Sequence, residues 1–129
     1  MAISSHISTN PELAGLIGWK YTPLTSIEHD WTHESLMSRG CVYDLNGNYI
    51  ARPFVKFFNY EELFDGEGKK TDIYKALEKE THPMLKPNMS GKFRVMDKVD
   101  GSLGIAFYWN NKWWIKTGGS FDSEQAVWA

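Results

Sequence analysis

The chain has 129 residues, of which 42% are hydrophobic and 15% aromatic, which is enough for one domain with a core and too few for two. Its formal net charge of -2 does not indicate a long nucleic-acid-binding surface, so a polyanionic ligand has to be bound by a local group of cations. Cys41 is the only cysteine, which excludes an internal disulfide. Because neither a secretory leader nor a membrane-spanning run is recognisable, we expect a cytoplasmic protein that does not contact a membrane.

Residues 1–38 show no sustained period of 2 or 3.6, so we expect an irregular lead-in with one short helix over residues 11–17 and loops after it. His29 and His33 are four residues apart and could share a helix face as metal ligands. Further ligands at the spacing of a zinc site are missing, so a polar loop is the preferred interpretation.

The pattern becomes clearer from residue 41, where two β-rich runs flank Asn46 and Gly47. This arrangement predicts a hairpin, and Pro53 should lie at an edge or at the end of the second strand. Lys56 follows in an aromatic and apolar setting, where it either extends from the core to solvent or points into a pocket. Residues 61–92 are charged and contain one predicted surface helix, from Asp72 to Lys79.

Residues 93–104 carry the strongest candidate for covalent chemistry. Lys98 follows an apolar run typical of a strand, and Asp100 and Gly101 form a turn-like pair directly after it. A lysine held by rigid backbone can be a nucleophile if burial or nearby positive charge lowers its pKa from about 10.4. The same residues also fit a plain Asp-Gly turn beside a surface lysine, and both interpretations remain open.

The last part of the chain predicts two strands and the start of a helix. Residues 103–109 alternate with large residues on one face, Asn110 and Asn111 form a turn, and a second strand over residues 113–117 ends at a Gly-Gly pair. The aromatic residues of these strands could stack nucleic-acid bases, but core packing is the preferred interpretation. Asp122 or Ser123 should cap the final helix, which has no stop signal, so we expect an N-terminal part of a larger domain.

Four segments also occur in a specific order: SRG at 38–40, ARPFVKFFN at 51–59, KVDGSL at 98–103 and IKTGGSFDSEQA at 115–126. Together they resemble the ATP-dependent RNA ligases of the T-even bacteriophage, tRNA-repair type. The K-x-D-G element alone is shared with DNA ligases and capping enzymes, whereas the two upstream elements are typical of this RNA ligase branch. The resemblance runs from about residue 38 to the end of the chain, with a family-like core at 39–129 and a looser stretch between 60 and 92.

The resemblance implies an α+β fold with a mainly antiparallel sheet, forming the N-terminal portion of one nucleotidyltransferase domain. Lys98 would attack the α-phosphate of ATP, in the presence of Mg²⁺, to form a lysyl-adenylate. AMP would then pass to an RNA 5′-phosphate, and a 3′-hydroxyl would displace it to join the ends. The residues implied for nucleotide contact are Arg39, Lys56, Phe58, Asp100, Gly101 and Lys116; metal ligands are not identified.

The sequence departs from the family at Gly118, where the phage enzymes have a functional lysine. Lys116 would then have to replace that phosphate contact from the other side of the strand. The family's metal-binding glutamates and closing lysines correspond to positions beyond Ala129, so we expect a second polypeptide to supply them. Two alternatives remain: a truncated protein that binds nucleotide or RNA ends without catalysis, and an unrelated β-rich interaction module.

Overall fold

The computed structural model describes residues 2–87 and 94–128. The strands, in chain order, are β1 (Ile3–His6), β2 (Leu16–Tyr21), β3 (Arg39–Asp44), β4 (Tyr49–Ala51), β5 (Ile105–Trp109) and β6 (Lys112–Lys116). The helices are α1 (Pro23–Glu28), α2 (His33–Met37), α3 (Tyr60–Leu63), α4 (Asp72–Glu78) and α5 (Glu124–Trp128). Short helices and antiparallel strands are mixed along the chain, as expected for the fold class.

The chain divides into two compact units. The first unit comprises Met1–Lys56 and Ser102–Ala129, and the second unit comprises Phe57–Gly101. In the parts of the chain that the structure describes, no helix combines the length and the apolar character needed to cross a bilayer.

The first unit is built on a four-stranded antiparallel sheet in the order β1-β2-β3-β4. Its first two strands correct the expectation of an irregular lead-in over residues 1–38. The predicted helix is reduced to a 3-10 turn at Pro11–Leu13, and Leu16 already begins β2. The alternation of apolar and polar residues in β2 is interrupted because the buried position 18 holds a glycine. A Cβ added there would overlap Nε2 of His6.

Two helices that the sequence pattern did not reveal connect β2 to β3. Thr22 caps α1 and Thr32 caps α2, each accepting a hydrogen bond from a backbone N–H in the first turn. His29 follows α1 in the left-handed conformation and His33 opens α2, so the two histidines do not share a helix. Helices of five and six residues are too short to show a 3.6-residue period, which explains why a loop was predicted.

The predicted hairpin over residues 41–54 is confirmed by the antiparallel pairing of β3 with β4. The Asp44 carboxylate accepts hydrogen bonds from the backbone N–H groups of Asn46 and Asn48, each at 2.9 Å, and Gly47 has a φ of +82°. Since β4 ends at Ala51, Pro53 lies beyond the strand, where its missing N–H has no consequence.

The second predicted hairpin, β5–β6, is also confirmed, with Asn110 and Asn111 both in the left-handed conformation. Its inner face closes the core of the first unit, which consists of Leu13, Leu16, Val42, Ala51, Ile105, Phe107 and Phe121. Trp109 and Trp114 pack against this core. Tyr108 and Trp113 are 54% and 71% exposed, so the preferred core interpretation is wrong for these two.

Helix α5 begins as predicted, and Ser123 is the one of the two predicted residues that caps it. Ser123 Oγ accepts a hydrogen bond from the N–H of Ala126 at 3.2 Å, which makes Ser123 the N-cap. The Asp122 carboxylate instead accepts a hydrogen bond from the Thr9 N–H at 2.8 Å, and Oε1 of Gln125 accepts one from Ser102 Oγ.

The second unit contains α3 and α4, joined by a turn with one antiparallel bridge between Phe64 and Lys70. The predicted surface helix is confirmed over Asp72–Glu78, with Thr71 as its N-cap. Tyr74 and Leu77 are its buried residues.

Candidate functional site

A cavity of about 330 Å³ lies in the first unit, where β2 and β3 meet the turn that follows β6. Lys20 and Tyr21 line it from the end of β2, and Arg39 lines it from the start of β3. Because these strands are antiparallel, the end of one lies beside the start of the other. Gly118 and Gly119 form the opposing wall, so two long cationic side chains face two residues without side chains.

The remaining wall of the cavity is neutral. Ser102 Oγ donates a hydrogen bond to Oε1 of Gln125 at 2.8 Å, which ties the chain before β5 to helix α5. Thr117 Oγ1 donates to the carbonyl oxygen of Ser120 at 3.2 Å and fixes the turn after β6. None of the described residues that line the cavity is acidic, so its charge comes from Lys20 and Arg39 and suits an anion.

Lys116 lies behind this wall and is fully buried, with 0% of its surface exposed. Its Nζ donates hydrogen bonds to the carbonyl oxygens of Gly40 at 3.1 Å and of Gly118 at 3.3 Å. The ammonium also lies 5.1 Å from the centre of the Phe121 ring. Lys116 is not among the residues that line the cavity, and its hydrogen bond to Gly118 attaches the ammonium to the turn behind the wall. The nucleotide contact expected of Lys116 stays a prediction.

The basic groups of this region influence one another. Burial lowers the pKa of Lys116 from 10.5 to about 8; Cys41 opposes this shift and the charge of Lys20 adds to it. Burial also lowers the pKa of His6 from 6.5 to about 4, with further contributions from Lys116 and Lys20. The charge of Lys20 therefore makes a smaller contribution, after burial, to both of these lowered pKa values.

Lys56 is held at the edge of the first unit by aromatic rings. Its Nζ lies 5.4 Å from the centre of the Trp31 ring and 5.9 Å from that of Tyr21, which lines the cavity. The backbone N–H of Lys56 donates to the carbonyl oxygen of Leu36 at 2.8 Å. The position matches the sequence expectation of a lysine in an aromatic setting.

The other four predicted residues, Phe58, Lys98, Asp100 and Gly101, belong to the second unit. Phe93, the first residue of the expected strand before Lys98, is outside the described residues. The expected strand is not found over residues 94–100, where the described backbone has no regular structure and Lys98 is exposed. Gly101 has a φ of +138°, a conformation that favours glycine.

The structure thus brings Arg39 to the cavity, with Lys56 near one of its wall residues and Lys116 behind it. Lys20 and Tyr21 were missed because their strand lies in the stretch interpreted as irregular. The order of apolar and polar residues in β2 carries a weak strand pattern, which Gly18 interrupts at an inward position.

Metal ligands are not gathered in this part of the molecule. Within residues 2–87 and 94–128, His, Cys, Asp and Glu side chains form no group of three or more that could hold a metal ion.

No protein-family model matches the chain, and no curated protein matches it.

Proposed function

We propose that the chain is one half of an ATP-dependent RNA ligase of the covalent nucleotidyltransferase class. The proposal rests on one observation: Arg39 and Lys20 line the same cavity, and none of the described residues that line it is acidic. Its volume of about 330 Å³ is at the lower end of the range for small-molecule sites, roughly 300–1,000 Å³. An anionic ligand that carries several phosphates is the class that this wall would bind best.

Lys98 is the proposed nucleophile. Its amine has to lose a proton before attack, since an ammonium group has no lone pair. The nitrogen then bonds to the α-phosphorus of ATP as the bond to the bridging oxygen breaks, and pyrophosphate leaves with the released electron pair. The lysyl-adenylate transfers AMP to an RNA 5′-phosphate, and a 3′-hydroxyl displaces AMP to seal the strand.

The proposed nucleotide contacts follow from residue type and position. Arg39 offers a planar fork of donors to phosphate oxygens, and Lys56 offers a point charge near Tyr21. Phe58 would provide an apolar surface to the nucleotide. Asp100 would contact the nucleotide beside the glycine turn at Gly101, whose φ of +138° places the backbone in a conformation favourable to glycine.

A second polypeptide is part of the proposal because the described cavity wall contains no carboxylate. The partner would contribute the acidic residues, and Mg²⁺ would arrive on the phosphates of ATP, as is usual for this ion. RNA ends would be bound mainly outside this chain, since its formal net charge is -2. The buried single cysteine, Cys41, suits the reducing cytoplasm in which we place the reaction.

The proposal is tested by incubating the protein with α-labelled ATP and Mg²⁺, alone and with a candidate partner. We expect a covalent gain of one AMP that disappears in Lys98→Ala. Lys86→Ala is the matched control, because Lys86 is another exposed lysine of the second unit. A label that persists in Lys98→Ala would contradict the assignment of the nucleophile.

A second candidate function is nucleotide or RNA-end binding without catalysis. The observation in its favour is the exposure of Lys98 on backbone without regular structure, since a nucleophilic lysine normally needs a shielded or positively charged setting. ATP binding without label under every condition would support this function. A protein that neither binds ATP nor accepts label would instead be an interaction module.

A further inference from the structure

Lys20 is a cation of the cavity that no motif identifies. It is the exposed, next-to-last residue of β2 and lies directly opposite Arg39 in the pairing of β2 with β3. Like charges at opposed positions destabilise an antiparallel pair. No acidic side chain pairs with the Lys20 ammonium among the residues that the structure describes. An anion between Lys20 and Arg39 would offset their repulsion.

The Lys20 side chain extends over the turn that follows β6. A Cβ added to Gly119 would lie 3.7 Å from Cδ and 3.8 Å from Nζ of Lys20, so the ammonium lies beside this backbone. The preceding residue, Gly118, occupies the position at which the resembling ligases have a functional lysine. The cation that is missing from the turn is therefore present next to it, on another strand.

The charge of Lys20 also acts on groups behind the wall. It contributes to the lowering of the pKa of Lys116 and of His6, although burial is the larger cause for both. The proposal itself depends on geometry, since Lys20 and Arg39 line the same cavity and the Lys20 side chain lies beside Gly119.

We propose that Lys20 contacts the triphosphate chain of ATP opposite Arg39 and replaces the lysine that the family carries at the position of Gly118. This inference rests on the proposed function, because it assigns a residue to the same nucleotide site. It also extends that function, since Lys20 becomes a determinant of the preference for triphosphate over monophosphate. Lys116 then positions the turn, and Lys20 contacts the ligand.

Titration of the whole chain with ATP, AMP and inorganic triphosphate, followed by calorimetry, tests this assignment. In Lys20→Ala we expect the affinity for ATP and for triphosphate to fall about tenfold, as for loss of one charge-assisted hydrogen bond, with AMP affinity nearly unchanged. Lys112→Ala is the control, because Lys112 is a half-exposed lysine of the same unit that pairs with Glu12 outside the cavity.

A rescue variant separates ligand contact from a structural role. An added Cβ on Gly118 meets no heavy atom within 4 Å, so this position has room for a side chain. Gly118→Lys in the Lys20→Ala background should restore ATP affinity to within about threefold of wild type, because the charge returns at the family position. Circular dichroism of each variant checks that the fold is retained.

The outcomes distinguish this inference from the proposed function. Unchanged ATP affinity in Lys20→Ala would overturn the proposed role of Lys20 but would not contradict ATP binding in the cavity. An equal loss for ATP and AMP, or a loss that Gly118→Lys does not reverse, would also overturn it. A wild-type protein without measurable affinity for ATP or triphosphate would overturn both proposals together.

Discussion

Lys116 donates a hydrogen bond to the carbonyl oxygen of Gly40, 76 residues earlier in the chain, at a distance of 3.1 Å. Through this contact the end of the β5–β6 hairpin is attached to β3 inside the first unit. A second hydrogen bond, to Gly118, attaches the same ammonium to the cavity wall. One buried side chain therefore connects the stability of the core with the shape of the candidate site.

The first prediction concerns alkaline pH. Because the pKa of Lys116 is about 8 in the folded protein and near 10.5 in the unfolded chain, the unfolded state binds more protons between these values. The free energy of unfolding should therefore rise with pH in this window, by up to about 1.4 kcal/mol per pH unit. Urea unfolding of wild type and Lys116→Met between about pH 7.5 and pH 9.5, within the interval between the two pKa values, isolates this contribution.

Lys116→Met serves as the reference because methionine keeps a long side chain but does not titrate. The difference in unfolding free energy, wild type minus Lys116→Met, should grow with pH, while the titration of Cys41 affects both proteins. A difference that stays constant over the range would mean that the Lys116 ammonium is solvated in the folded protein.

The second prediction concerns acid. The pKa of His6 is lowered to about 4 from 6.5, so the unfolded chain takes up a proton before the folded protein does. Stability should fall as pH decreases from about 6.5 toward 4, by up to about 1.4 kcal/mol per pH unit. His6→Phe keeps a ring against Phe121 and removes the titratable group. Its free energy of unfolding, measured with heat or urea, should therefore fall less steeply with decreasing pH than that of wild type.

The third prediction tests the contact between β1 and β2. Gly18→Ala places a methyl group where it overlaps the His6 ring, so the ring has to move within a packed region. We expect a loss of about 1–3 kcal/mol in the free energy of unfolding, typical of overpacking. Gly104→Ala is the matched control, since its nearest neighbour would be Ile115 at 3.7 Å, an ordinary contact. Equal effects of the two substitutions would contradict the packing argument.

The fourth prediction concerns Arg39. Its planar guanidinium can donate two parallel hydrogen bonds to a phosphate, whereas a lysine cannot. Arg39→Lys should therefore weaken ATP binding about tenfold although the charge is kept. Arg52→Ala is the control, because Arg52 lies 4.1 Å from the centre of the Tyr49 ring and does not line the cavity. Equal ATP affinities of Arg39→Lys and wild type would contradict a bidentate contact between Arg39 and a phosphate.

Both hairpins could be predicted because the residues that determine them are close together in the sequence. Asn46 with Gly47, and Asn110 with Asn111, supply the turns, and the flanking residues alternate over short distances. The first two strands could not be predicted from their apolar pattern. His6 of β1 pairs with Gly18 of β2, at a position where two apolar side chains would be expected.

The candidate site was predicted only in part, for a related reason. Arg39 was identified through its motif, whereas Lys20 owes its place to a pairing with Arg39 that spans 19 positions of sequence and lies in an unrecognised strand. The burial of Lys116 could not be predicted either, because lysine is almost never fully buried and its carbonyl partner, on Gly40, is remote in sequence.

The division of the first unit into two stretches has a consequence for protein synthesis. Leu16 and Val42 lie in a core that is completed by Ile105 and Phe107, which are translated after the entire second unit. At roughly 5–20 residues per second, the nascent sheet waits several seconds for the hairpin that covers its apolar side. Until then the apolar side of the sheet is not covered by the hairpin, and transiently exposed apolar surface of this kind favours aggregation.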